Sequence, residues 1–202
     1  MFSNKWYQVR GTIVKDLFSS VIKNNDYVHI FYNITEKREY LDKLIGYIIS
    51  GIEQNEHILV IESERLIHDL NKELAVILTK EQLSYVHTVN NFDYYFSTGS
   101  FQPTVIFDNL TKILTPFVED NVVIRCWAHV EWGEQEGIFN ILDEFEREAD
   151  DLVRLGGMSL VCAYDGERIP DTLKTSLMTS HKFIIKGNNI VESHLYLTKE
   201  AN

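Results

Sequence analysis

The alternation of short apolar runs with amphipathic stretches constrains the fold of this chain more than any other feature. Five apolar or aromatic runs are typical of buried strands, over residues 27–32, 57–61, 85–89, 122–130 and 158–163. Stripes of apolar residues three and four positions apart lie between most of these runs and predict helices. Strands that alternate with helices form parallel βαβ units, so we predict an α/β fold with three layers and helices on both faces of a mostly parallel sheet.

Local signals mark several boundaries. Asn33 and Ser63 follow the first two strands and are predicted to cap the next helices. Pro103 suits the first turn of a helix, whereas Pro116 is expected to kink or end that helix. Residues 94–96 are predicted as a short extended piece.

The C-terminal part of the chain follows a different pattern. A helix over residues 170–178 precedes two predicted strands, over residues 182–186 and 190–197, and a turn near Gly187-Asn188 makes an antiparallel hairpin the expected connection. Residues 1–25 are weakly patterned, and we expect them to pack on the edge of the sheet. The 202 residues are expected to form one domain.

Composition excludes several classes of partner. The net charge is −11 and no cluster of lysines or arginines occurs, which argues against nucleic acid and against anionic membranes. The N-terminus leads into no apolar segment, and no apolar run reaches the roughly 20 residues that span a bilayer. We expect a cytoplasmic protein whose two cysteines, Cys126 and Cys162, are buried thiols.

No catalytic template is present. The first strand–helix junction, residues 32–39, has no glycine, and Lys37 is followed by Arg38 where a P-loop needs a hydroxyl. The glutamates Glu36 and Glu39 would repel phosphate there. The motifs of serine hydrolases and zinc proteases are also absent. We therefore predict a protein that is not an enzyme, with no cofactor and no metal site.

Residues directly after the predicted strands are candidates for a binding site, because open α/β sheets place ligands beyond the carboxyl ends of their strands. The mixture of aromatic and polar side chains suits a small organic ligand, although caps and turns explain the same residues equally well. The positions are Tyr32, Asn33, Glu62, Ser63, Asn90, Glu131, Trp132, Tyr164 and Asp165.

Buried charge points to one further contact. Arg125 lies in the middle of a strand and requires a carboxylate partner, since an unpaired buried charge is costly. Glu146 lies beside the apolar stripe of a helix, so an Arg125–Glu146 pair is our hypothesis. His29 is expected to be a hydrogen-bonded core histidine, and His181 either a simple cap or a surface residue.

Several stretches, taken in their order along the chain, carry a resemblance to a known family. They are Val28-His29-Ile30-Phe31-Tyr32, residues 57–61, residues 123–127, Phe145-Glu146, residues 160–165 and Ser180-His181. From about residue 26 to residue 185 the chain is similar to the MEDS domain, a sensory domain named for methanogens, methylotrophs and the dichloromethane regulator DcmR. The resemblance implies a RecA-like or KaiC-like α/β fold that lacks the P-loop, and a role in sensing small molecules such as hydrocarbon derivatives.

The resemblance also implies site residues. By alignment with recurrent family positions, the candidates are His29, Tyr32, Arg125, Glu146, Cys162, Tyr164 and His181. Asn33, Trp127, Glu131, Trp132 and Asp165 complete the predicted ligand-binding set. The family often has a Gly-Glu pair and then a tryptophan on the fourth strand, whereas this chain has Ala128-His129-Val130-Glu131-Trp132.

Together these features predict a stand-alone sensory or regulatory domain, without catalytic activity, that binds a small organic ligand or a signalling protein. One alternative is a protein-interaction module that regulates a kinase or a transcription regulator without a ligand. A second is an atypical nucleotide-binding protein. A RecA-type ancestry is also compatible with a homo-oligomer.

Overall fold

The computed structural model describes residues 14–197, in which strands and helices alternate as predicted. The strands are β1 (Val28–Ile34), β2 (His57–Glu62), β3 (Val86–Asn90), β4 (Ile124–His129), β5 (Ser159–Asp165), β6 (Phe183–Lys186) and β7 (Asn189–Glu192). The helices are α1 (residues 14–23), α2 (Lys37–Ile52), α3 (Glu64–Ile77), α4 (Lys80–Leu83), α5 (Asn91–Tyr95), α6 (Pro103–Glu119), α7 (Ile138–Gly156) and α8 (Asp171–Ser180).

The strands form one sheet in the order β3-β2-β4-β5-β1-β6-β7. Every neighbouring pair is parallel except β6 and β7, which form an antiparallel hairpin. Gly187 occupies the turn with a φ of 54°, a left-handed conformation that glycine adopts without strain. The prediction of a mostly parallel α/β sheet with a C-terminal hairpin is confirmed.

Helices cover both faces of the sheet, and alternate residues of each strand point to opposite faces. On what we call the α2 face, helices α1, α2 and α3 pack against residues such as Ile30 and Trp127. On what we call the α7 face, helices α5 to α8 pack against residues such as Phe31 and Cys162. The structure therefore has three layers and two apolar cores.

Helix α2 begins differently from its prediction. Strand β1 continues to Ile34, so Asn33 lies within the strand and the predicted Asn33 cap is wrong. Glu36 caps the helix, and its carboxylate accepts hydrogen bonds from the backbone amides of Arg38 at 2.8 Å and Glu39 at 2.6 Å. The cap predicted for α3 is confirmed, because Ser63 accepts a hydrogen bond from the Leu66 amide.

The extended piece predicted at residues 94–96 is wrong. Asn90 ends β3 and at the same time caps α5, where its side chain accepts a hydrogen bond from the Asp93 amide at 3.1 Å. The prediction for Pro103 is confirmed, since it occupies the first turn of α6. Pro116 lies inside that helix, which ends at Glu119, less than one turn after the proline.

The N-terminal segment is described only in part, because residues 1–13 lie outside the described residues. Helix α1 packs against the α2 face, where the Phe18 ring lies 5.1 Å from the Tyr47 ring and 6.1 Å from Trp127. Within residues 14–197, no helix is both long enough and apolar enough to cross a bilayer.

Candidate functional site

Five of the predicted site residues meet on the α7 face of the sheet. His29 lies on β1, Cys162 and Tyr164 lie on β5, Glu146 lies on α7, and His181 caps the C-terminus of α8. The register of β1 against β5 pairs His29 with Leu160 and Phe31 with Cys162, so His29 and Cys162 lie diagonally across the two strands on one face of the sheet. With Asp150 of α7 they form what we call the buried polar cluster: His29, Glu146, Asp150, Cys162, Tyr164 and His181, none more than 2% exposed.

His29 is at the centre of the cluster. Its Nδ1 lies 3.2 Å from Asp150 Oδ1 and 3.1 Å from the carbonyl oxygen of Ser180. Its Nε2 lies 3.5 Å from Glu146 Oε2 and 3.5 Å from Cys162 Sγ. Burial lowers the pKa of His29, but the hydrogen bond to Asp150 and the nearby negative charge of Glu146 raise it by more, so the pKa lies above its ordinary value.

His181 stacks on His29, with ring centroids 3.9 Å apart. Its Nδ1 lies 2.7 Å from the carbonyl oxygen of Leu177, which assigns the N–H to that nitrogen and leaves a lone pair on Nε2. Burial lowers the pKa of His181, and the neighbouring His29 lowers it further. The prediction of a cap is therefore correct in position, but the residue is completely buried, which excludes the surface alternative.

Glu146 is a buried carboxylate with two different oxygens. Tyr164 donates its hydroxyl proton to Oε1 at 2.5 Å. Oε2 lies 3.4 Å from His181 Nε2, yet within residues 14–197 neither atom has a hydrogen-bond partner. Burial raises the pKa of Glu146, but both imidazoles and Tyr164 lower it by more, so the net shift favours the carboxylate. Unpaired polar atoms at such depth are rare and call for a physical explanation.

An apolar cavity borders the cluster. Its volume is about 40 Å³, which is enough for roughly three water molecules. Cys162 belongs both to its wall and to the buried polar cluster, and burial raises the pKa of this thiol well above its ordinary value. The lining residues are Ile61, Tyr94, Tyr95, Phe107, Leu110, Cys126, Ala128, Phe145, Ala149, Leu152, Val153, Met158, Leu160 and Cys162.

Three predicted site residues, Tyr32, Trp127 and Arg125, lie on the opposite face. Tyr32 and Trp127 pack in the aromatic core of the α2 face, where the Tyr32 ring stacks on Tyr40 at 5.8 Å. Trp127 Nε1 donates a hydrogen bond to the Tyr40 hydroxyl at 2.8 Å. Both are separated from the buried polar cluster by the sheet.

The hypothesis of an Arg125–Glu146 pair is wrong. Arg125 pairs with Glu56, which directly precedes β2, and donates a further hydrogen bond to Ser50 Oγ at 2.9 Å. The physical reason is strand alternation: Arg125 and Trp127 point to the α2 face, whereas Glu146 extends from a helix on the other face.

The remaining candidates lie near the carboxyl edge of the sheet, where Glu131, Trp132 and Asp165 have structural partners. Glu131 pairs with Arg168 at 2.5 Å, and the Arg168 guanidinium lies 4.2 Å from the centre of the Trp132 ring. Asp165 accepts a hydrogen bond from the Glu167 amide at 3.0 Å. Asn33 Oδ1 is buried and lacks a hydrogen-bond partner among the described residues.

The sequence prediction missed the residue Asp150 and, for the candidate Glu62, the partners that it contacts. Asp150 holds His29 in place, and its spacing of four residues from Glu146 on one helix was the signal that could have found it. On the α2 face, Glu62 accepts a hydrogen bond from Tyr40 and lies 2.9 Å from His129 Nδ1.

A comparison with protein-family models identifies the family of the chain. The model of the MEDS family, described as the methanogen/methylotroph, DcmR sensory domain, matches residues 28–182. The chain belongs to the MEDS family. All six residues of the buried polar cluster lie within the matched part of this MEDS domain, and His181 lies next to its end. A comparison with curated proteins found no relative.

Proposed function

We propose that this MEDS domain is a non-catalytic sensory module that binds a small, largely apolar organic molecule in the apolar cavity. The observation that carries the proposal is the position of Cys162, which joins the apolar wall of the cavity to the buried polar cluster. Ligand sites typically combine apolar walls with a few polar groups that orient the ligand.

The size of the cavity favours a very small ligand. Its volume of about 40 Å³ holds roughly three water molecules, so an organic molecule of about three or four non-hydrogen atoms fits. Short alcohols, ketones and halogenated hydrocarbons have this size and polarity. These are hydrocarbon derivatives of the kind that the family resemblance implies.

Helix α7 connects the cavity with a surface. Phe145, Ala149 and Leu152 line the cavity, whereas Leu155, three residues after Leu152, is 75% exposed. A ligand that prefers one packing of α7 against the sheet would shift the population of that packing. We propose that a signalling protein binds the outer side of α7 and distinguishes the two packings of the helix.

The N-terminus of α2, the helix that follows strand β1, supports a function without nucleotide hydrolysis. In a P-loop protein the backbone amides at this position bind phosphate. Here the Glu36 carboxylate accepts hydrogen bonds from the amides of Arg38 and Glu39, so the protein's own anion takes that place. Phosphate would have to displace a negative charge.

Thermal unfolding in the presence of small molecules tests the proposal. A ligand at about 100 times its Kd stabilises the native state by about 2.7 kcal/mol, which raises the Tm of a domain of this size by roughly 5–10 °C. Leu152→Trp, at the partly exposed wall of the cavity, should abolish the shift. Leu155→Trp is the matched control, because the same change on the same helix falls outside the lining.

Each outcome of the screen separates the candidate functions. A shift with a short organic compound that Leu152→Trp removes and Leu155→Trp preserves supports ligand sensing. If a magnesium nucleotide raises the Tm and no organic compound does, the result contradicts the proposal and favours the nucleotide-binding alternative. No shift with any compound also contradicts it and favours the protein-interaction module.

A further inference from the structure

Four side chains of the buried polar cluster direct one donor atom each toward a common centre. The donors of His29, Glu146, Cys162 and His181 all lie within 4.8 Å of one another. The four residues come from β1, α7, β5 and the end of α8. None is more than 2% exposed, so solvent does not compete for their lone pairs.

Three of the donor separations match those of a tetrahedral metal site. Metal bonds of about 2.0–2.1 Å to nitrogen or oxygen and about 2.3 Å to sulfur place N and O ligands roughly 3.4 Å apart, and N and S ligands roughly 3.6 Å apart. Glu146 Oε2 lies 3.4 Å from His181 Nε2 and 3.5 Å from His29 Nε2. Cys162 Sγ lies 3.5 Å from His29 Nε2.

The surrounding hydrogen bonds direct these donors inward. Histidine ligands of metals usually donate their second N–H to a carboxylate or a carbonyl group. His29 Nδ1 faces Asp150 Oδ1 and the Ser180 carbonyl oxygen, and His181 Nδ1 faces the Leu177 carbonyl oxygen. Tyr164 occupies Oε1 of Glu146, which leaves Oε2 available.

The unpaired atoms of the cluster lie where an ion would bind. Glu146 Oε2 and His181 Nε2 face each other at 3.4 Å without a hydrogen bond, and His181 Nε2 has no proton to donate because Nδ1 carries it. Two facing lone pairs repel each other unless a cation lies between them. A metal ion would satisfy both atoms at once.

We propose that His29, Glu146, Cys162 and His181 bind one divalent transition-metal ion of the zinc class in a closed tetrahedral site. Binding would release the thiol proton of Cys162 and the second ring proton of His29. The resulting set of two imidazoles, one thiolate and one carboxylate suits Zn²⁺ better than the oxygen-seeking Mg²⁺ or Ca²⁺. Four protein ligands leave no open position, which is typical of a structural site. The ion would tie β1 and β5 to α7 and α8.

This inference goes beyond the proposed function and does not depend on it, because the ion binds whether or not the cavity accepts an organic ligand. It also departs from the expectation of no metal site, which rested on the search for paired ligands along a single helix. Here the ligands come from four separate elements, which only the register of β1 and β5 and the packing of α7 and α8 bring together.

Refolding with a defined metal tests the site, since buried donors acquire an ion most readily before the domain closes. The full chain is unfolded with a chelator present, refolded with Zn²⁺ or Co²⁺, and desalted. Metal content is then measured by mass spectrometry, with roughly one ion per chain expected. Bound Co²⁺ should show visible bands of tetrahedral coordination and a near-ultraviolet thiolate-to-cobalt band.

The two cysteines provide a matched pair of variants. Cys126 and Cys162 are both buried on neighbouring strands and both line the apolar cavity, but only Cys162 belongs to the proposed site. Cys126→Ser should keep roughly one ion per chain, whereas Cys162→Ser should lower zinc affinity by at least about 100-fold.

Two results would overturn the proposal. The first is a refolded wild-type chain with native circular dichroism that retains less than about a tenth of an ion per chain. The second is equal metal retention by the two serine variants. If Cys162→Ser does not refold, the cobalt spectrum of the wild-type protein decides, because a spectrum without the thiolate band overturns the proposed ligand set. Organic-ligand shifts are measured separately, so either proposal can fail alone.

Discussion

Replacing Glu56 by glutamine would leave the buried Arg125 guanidinium without its negatively charged partner. Arg125 is 1% exposed, and its guanidinium pairs with Glu56 and donates to Ser50 on the α2 face of the sheet. The change preserves the shape of the side chain at position 56 but removes the negative charge. The guanidinium would then be buried without a counter-charge.

The expected loss follows from the burial of the pair. Removing one partner of a buried ion pair costs about 3–5 kcal/mol. The Glu56 side chain is 17% exposed, so water compensates part of the loss and we expect the lower end, about 3 kcal/mol. With a denaturant dependence of about 2 kcal/mol/M, the urea midpoint falls by about 1.5 M. Adding Arg125→Met should recover most of the lost free energy of unfolding, because the double variant contains no buried charge without a partner.

Urea unfolding of a double-mutant cycle measures the coupling. We expect a coupling of about 2–3 kcal/mol between Arg125→Met and Glu56→Gln. Glu146→Gln is the comparison, since it lies across the sheet from Arg125 and should couple with Arg125→Met by less than about 0.5 kcal/mol. A larger coupling to Glu146 than to Glu56 would refute the assignment of Arg125 to the α2 face.

Three further predictions concern local features. Gly166→Ala should destabilise the fold by about 1–3 kcal/mol, since its Cβ would lie 2.4 Å from the Ile34 carbonyl oxygen; urea unfolding unchanged from wild type would disprove this close approach. Burial lowers the pKa of His129 but Glu62 raises it by more, so the stability from His129 is complete below about pH 6.5 and is lost as pH rises through the raised pKa. The difference in unfolding free energy between wild type and His129→Gln should therefore shrink above pH 6.5, and a constant difference would contradict the pairing. Both cysteines are buried, so dithionitrobenzoate should label them only as fast as the native state opens, and immediate labelling of either thiol in native protein would contradict their burial.

Much of the fold could be predicted because its central strands, β1, β2, β4 and β5, are mostly buried on both faces. Such strands are nearly continuous apolar runs, and β2 begins at His57, where the sequence predicted it. Short segments were less predictable. Residues 94–96 are all aromatic, so their sequence has neither the apolar pattern of a helix nor that of a strand. The hydrogen bond that the Asn90 side chain accepts from the first turn of α5 favours the helical conformation. At the start of α2, competition between Asn33 and Glu36 for the cap depends on how far β1 continues.

The residues of the site were more predictable than their arrangement. The family resemblance identified His29, Glu146, Cys162 and His181, but their convergence depends on strand register and helix packing. Strand alternation separates Arg125 from its neighbours in the chain, but it does not tell which helix covers which face. That information is tertiary, which explains why the predicted partner of Arg125 was wrong.

The most direct test of ligand sensing is calorimetric binding of a homologous series of alcohols, ketones and chloroalkanes to the full chain. The volume of the apolar cavity predicts an affinity optimum at about three or four non-hydrogen atoms, with a steep loss for larger members. Leu152→Trp should remove the optimum, and Leu155→Trp should preserve it. Affinity that rises steadily with chain length, as for adsorption to an exposed apolar surface, would contradict binding in the cavity.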